Sequence, residues 1–213
     1  MEEDKEWTDI KELAEKHNVA IINTIKPYGQ LGPFRPYDKK EFKFARVFDS
    51  LLRKNLLVSG SSITKGSTRN HMYGTWGTII GEGTIEEAFP HDATTSVSKG
   101  KMQSSFQSRL EHVRPSEKLK YAIKSNKPYY NELGIRSKTI SGIYVTPDNR
   151  DMLTEGTFLD LLKSLDMPFY LLKDGEFYRM QDPTTIENDT VDTEPTQPSD
   201  IIKTIIQPTS EQE

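Results

Sequence analysis

Trp7, Ile10, Leu13 and Ala14 recur at helical spacing and predict a short amphipathic helix over residues 5–17, ended by Asn18. Val19–Ile25 is a brief β-branched run and reads as a strand. Residues 26–37 hold three prolines and two glycines, so they form a loop. Asp38 followed by Glu41 resembles a capping box for a helix over 38–54, with Phe42, Ala45, Val47, Phe48, Leu51 and Leu52 as its apolar stripe. The pattern then weakens. From Ser59 to Gly83 six glycines and many Ser and Thr residues interrupt short apolar pieces, which predicts loops around short strands. A second polar stretch, roughly 90–108, predicts a long surface loop or a lid.

Order returns at Arg114-Pro115-Ser116-Glu117. Leu119, Ala122 and Ile123 space as a helix to about Asn126, and Lys127-Pro128 stops it. Strands are expected at 129–135 and 139–146, with Pro147-Asp148-Asn149 as a turn. Thr154 caps a helix over 155–165. Met167–Leu172 and Glu176–Met180 then form a hairpin about Asp174-Gly175. After Gln181 the chain turns rich in Thr, Pro and acidic residues, and 181–213 reads as a disordered tail. Ile201-Ile202 and Ile205-Ile206 are apolar islands within it, suited to simple stickiness or to a short docking motif. The whole predicts an α+β chain. A single domain over 1–180, loop-rich at 59–110, carries a mixed, mainly antiparallel sheet flanked by three to four helices.

Composition narrows the function classes. The 213 residues are 34% hydrophobic and 28% charged, with a net charge of -4. The mean hydropathy is -0.67. That mild negative charge argues against a dedicated nucleic-acid binder. The absence of cysteine excludes disulfides and thiolate metal sites. The acidic start MEEDKEWTD has no apolar core of a secretory signal, and no run of about 18 apolar residues predicts a membrane span. His71, His91 and His112 fit no compact ligand spacing, so no metal is expected. There is no G-x-S-x-G elbow, G-x-G-x-x-G loop or P-loop. Lys99, Lys101, Arg109 and Arg114 make a modest basic segment that reads as solvated surface, or as an anion contact should Phe106 be exposed among them.

The residue that breaks the pattern is Glu132. Strand alternation puts Asn131, Leu133 and Ile135 on one face and Tyr130, Glu132 and Gly134 on the other. A carboxylate there either faces solvent or lines a cleft. His71, beside Tyr73 and Trp76, suits either a half-buried packing position or a hydrogen-bond donor to a ribose or phosphate.

The block with Asn131-Glu132, the strand Ile140–Val145 and the later MPFYLLKDGEFYRM resembles a domain of type IV secretion (Dot/Icm type) effectors of intracellular bacterial pathogens. It is also faintly similar to ADP-ribosyltransferase folds. The first resemblance implies a protein delivered into a host cell by a non-Sec route, or held in the bacterial cytoplasm, with a host or bacterial protein as partner. The second implies NAD as substrate and Glu132 as the catalytic carboxylate. Arg69 and His71 would then bind the dinucleotide, with Tyr73, Tyr130 and Asn131 as further lining residues. A carboxylate beside the ribose would stabilise the oxocarbenium-like state of glycosyl transfer. The competing expectation is a non-catalytic protein-interaction module on the same fold.

Overall fold

The computed structural model describes residues 9–25, 57–67, 76–89, 115–125, 131–147, 167–181 and 191–203. The expected helices at 38–54 and 155–165, Trp7, His91 and His112 lie outside the described residues.

Helix α1 (Ile10–His17) starts where Asp9 caps it, the Asp9 carboxylate accepting from the Lys11 N–H at 2.8 Å. It ends at Asn18, which takes the left-handed conformation (φ 51°) and returns its N–H to the Ala14 carbonyl. Ile10, Leu13 and Ala14 form its buried stripe. An isolated bridge from Asp9 to Thr84 and an ion pair between Lys11 and Glu82 set the helix against the sheet.

The sheet contains β1 (Ala20–Ile25), β2 (Leu57–Ile63), β3 (Trp76–Phe89), β4 (Glu132–Val145), β5 (Phe169–Lys173) and β6 (Glu176–Met180). Its order is β2-β1-β3-β4-β5-β6, and β2 also pairs with β4. That extra pairing closes a ring. Residues 57–60 of β2 pair with 133–136 of β4, and 61–63 of β2 cross to pair with 20–22 of β1. β1 continues onto β3, and β3 runs the length of β4. Every pairing is antiparallel except β4 with β5. Closure satisfies backbone groups that an open sheet leaves at its edges. The mixed, mainly antiparallel α+β architecture is as expected. The described residues add helix α2 (Pro115–Ser125) and helix α3 (Pro198–Lys203) to α1.

Three expectations change. The glycine-rich stretch fits short strand and turn at 57–67, but from Trp76 it is part of a single strand of 14 residues. Gly77 of this strand and Gly142 of β4 each make room for a neighbouring ring. A Cβ on Gly142 would stand 2.7 Å from the Tyr170 ring, and one on Gly77 would stand 2.7 Å from the Tyr144 ring. The two buried tyrosines lie across those glycines, and each meets Phe177 edge-on at 6.3–6.4 Å between centroids. Second, the two strands expected at 129–135 and 139–146 are one, β4, passing unbroken through Arg136-Ser137-Lys138.

Third, residues 191–203 are not a disordered tail. Val191 and Thr196 bridge to Met180 and Phe177. The Asp192 and Thr196 N–H groups donate to the Arg179 and Phe177 carbonyls at 2.9 and 2.7 Å. The segment thus covers the outer edge of β6, and α3 then buries Ile201 and Ile202 completely or nearly so. Ile201 joins the cluster of Ile22, Ile79, Tyr144 and Tyr170, and Ile202 joins that of Leu13, Ile21, Ile135 and Ile143. Strand alternation places these clusters on opposite faces of the sheet. Two adjacent isoleucines thereby grip both. Low average hydropathy hid this, because an edge segment needs backbone bonds and one apolar anchor rather than a continuous apolar run.

Candidate functional site

Asn131 and Glu132 stand where β2 leaves β4 for β1. Asn131 is fully buried. Its Oδ1 accepts from the Ser62 N–H at 2.9 Å, and the Ser61 hydroxyl lies 2.9 Å from Oδ1 and 2.8 Å from the Asn131 carbonyl. Its Nδ2 donates to the Ser62 hydroxyl at 2.8 Å and to the Ala122 carbonyl of α2 at 3.1 Å. A carboxamide offers two donors and two acceptor sites, and all are engaged inside the fold. Asn131 is therefore a clamp joining β4, β2 and α2, with no donor left over for a dinucleotide.

Glu132 opens β4 opposite Phe89 of β3 and is half-buried. Its neighbours Asn131 and Leu133 are fully buried, so the expected alternation holds. Gly134, two residues on along its face, is paired on both sides, with Ser59 and with Glu87. Glu132 is thus a carboxylate on a backbone fixed from three directions. Arg69, His71, Tyr73 and Tyr130 lie outside the described residues. Of the six expected site residues, the structure brings together Asn131 and Glu132.

A shallow groove of about 100 Å³ lies where the α1 cap, the 64–67 turn, the β5–β6 hairpin and the 195–198 segment meet. Asn18, Lys65, Glu176, Thr196 and Gln197 line it, with Lys65 and Glu176 paired at 3.0 Å. Small-molecule sites usually occupy some 300–1,000 Å³. This groove is a junction between elements and too small for a dinucleotide.

The surface feature that sequence reading missed is on α2. Leu119 and Ala122 are buried, and Ile123 packs partly against the same cluster. The opposite stripe is Glu117, Lys120, Tyr121 and Lys124, at i, i+3, i+4 and i+7, and all four are exposed. Tyr121 is 55% exposed, the one large apolar side chain so presented among the described residues. The charge of Lys120 reaches His17 at the C-terminal end of α1. Burial, then the positive charges of Lys16 and Lys120, hold the His17 imidazole below its ordinary range. Lys120 and Lys124 therefore flank an exposed aromatic with one acidic residue, Glu117, in the same stripe. The signal was present in the sequence: Tyr121 occupies a polar-face position of a helix whose apolar face was already complete.

Among the described residues no three His, Asp or Glu side chains gather as a metal site, and no helix is long and apolar enough to cross a membrane. Compared with known protein families and with curated proteins, the chain matches none.

Proposed function

We propose that this chain is a protein-binding module that docks an acidic segment of a partner protein on the α2 face. The observation that carries the reading is Tyr121, an exposed aromatic set between Lys120 and Lys124 on one stripe of α2, on a chain of net charge -4. Tyrosine is enriched at interfaces because it combines apolar area, a polar tip and little rotamer entropy. Lysines around it attract and orient an acidic partner. Glu117 in the same stripe and the overall negative charge favour a protein over a nucleic-acid backbone. The setting, an effector acting on a host or bacterial protein, comes from the resemblance of the Tyr129–Met180 block.

The test uses a fluorescently labelled oligo-glutamate peptide. The expected result is salt-sensitive binding that Tyr121→Ala weakens and the Lys120→Glu/Lys124→Glu pair abolishes. Equal binding by the charge-reversed protein would refute the proposal. Tighter binding of a single-stranded oligonucleotide at the same face would also refute it.

A second reading keeps Glu132 as an NAD-using carboxylate. It is favoured by the rigidity that the Asn131 clamp gives the start of β4, since a fixed carboxylate suits stabilisation of a cationic transition state. Transfer of label from NAD by the wild type, lost in Glu132→Gln, would support it. No transfer leaves the binding module standing.

A further inference from the structure

The register between β3 and β4 shifts at four places, and the first two shifts are successive. Ile79 faces Gly142, but Ile80 faces Ile140 and Glu82 faces Thr139. One residue of each strand is left over, Ser141 on β4 and Gly81 on β3. These are two bulges on facing strands, one rung apart. A bulge residue stands outside the regular ladder and bends its strand.

The side chains here are polar and unsatisfied. Ser141 is 1% exposed, and neither its Oγ nor the Thr139 Oγ1 has a hydrogen-bond partner. Both oxygens lie within 3.0 Å of the point where a Gly81 Cβ would stand, so the two β4 hydroxyls share the space on one side of that glycine. A buried hydroxyl without a partner is costly, and native interiors rarely leave one unpaired. Two side by side, at a place where the ladder opens, have the usual makings of an internal solvent site. Buried waters typically bridge two to four polar groups that the protein leaves unsatisfied.

We propose that the paired bulges at Gly81 and Ser141 form a buried water-binding site, one ordered water bridging Ser141 Oγ and Thr139 Oγ1. Each hydroxyl is both donor and acceptor, so a single water can accept from one and donate to the other. The site has a structural consequence. N-terminal to the break β3 pairs with β1, and C-terminal to it β3 pairs with the half of β4 that meets β2. The bridging water would tie together two hydroxyls of β4 on either side of Ile140, where that strand bends between those halves.

A high-resolution crystal structure of the wild-type protein tests this directly. The expected result is a density peak at hydrogen-bond distance, about 2.8 Å, from both hydroxyl oxygens. In solution, oxygen-17 relaxation dispersion should show a long-lived water whose amplitude is lost in Thr139→Val/Ser141→Ala. A map with no peak between the hydroxyls would overturn the proposal, as would an amplitude unchanged in the double variant. Should that variant not fold, the wild-type map decides.

Discussion

Asn131 shows how one side chain can set a local architecture. It ties the start of β4 to two successive residues of β2 and to α2 through bonds that are all buried. Replacing it by Ala removes the acceptor of the Ser62 N–H and a donor to the Ala122 carbonyl. Loss of a buried partner costs about 1–3 kcal/mol per orphaned group, so Asn131→Ala should lose about 3 kcal/mol, read as a lower urea midpoint with an unchanged slope. Asn131→Asp keeps the shape but loses both donors and should be at least as damaging. A near-neutral Asn131→Ala would mean that the clamp is dispensable.

His17 gives a pH prediction with a definite sign. Its folded-state value lies below the ordinary 6.5 because burial and the charges of Lys16 and Lys120 disfavour the imidazolium. The unfolded chain therefore takes up the proton first as pH falls through 6.5, and stability drops with it. As pH falls below about 6.5, the melting temperature of the wild type should fall more steeply than that of His17→Gln. Parallel pH profiles would contradict this. The alternation around Glu132 and the helix stop at Asn18 were readable in the sequence, since each depends on nearest neighbours in the chain. The use of the Asn131 amide was not, because its partners lie 69 and 70 residues away at Ser62 and Ser61.

At the scale of elements, the β5–β6 hairpin was the most legible piece. Its second strand and its Asp-Gly turn are as expected, and its first strand runs over Phe169–Lys173 where 167–172 was expected, with φ of 53° and 80° at the two turn residues. Positive φ at both central residues is what a two-residue hairpin with right-twisted strands requires. The structure adds where the tip goes. The Gly66 N–H donates to the Asp174 carbonyl at 2.8 Å, and a Cβ on Gly175 would collide with the Thr64 carbonyl. Gly175→Ala therefore combines an unfavourable φ with a backbone clash. It should cost about 2 kcal/mol or more in chemical denaturation, whereas Asp174→Asn should be close to neutral.

The strand β3 was illegible for the converse reason. Glycine reads as loop locally, but Gly77 leaves room for a ring carried by β4, and Gly142 of β4 leaves room for one carried by β5. The C-terminal segment was illegible because its composition is that of a solvated tail while its two apolar anchors are short. Ile201→Ala should cost about 2–4 kcal/mol, the usual range for emptying a fully buried aliphatic site. A chain ending at Gln181 should melt well below the full one. If both variants melted with the wild type, the packed position of residues 191–203 would be wrong.

At the scale of the molecule, the described elements form a closed ring of β1, β2, β4 and β3. From β4 it extends through β5 and β6 to an edge covered by the chain's own C-terminal segment. The fold class followed from sequence pattern, whereas ring closure did not, because it depends on β2 changing partners at Gly60–Ser61 with no change of local pattern. The functional expectations divide in the same way. Motif resemblance drew attention to Asn131-Glu132, and there the structure gives a clamp and a ladder residue. The exposed stripe of α2 carries the surface chemistry.

The most direct test is to map binding residue by residue in a nitrogen-15 amide spectrum, adding the oligo-glutamate peptide to one sample and NAD to another. The binding-module account predicts peptide-dependent shifts at Lys16, His17, Lys120, Tyr121 and Lys124 that fade with added salt, and no NAD-dependent shifts at Asn131, Glu132 or Leu133. Saturable NAD-dependent shifts at Glu132 and its neighbours, with the α2 face silent to the peptide, would contradict it.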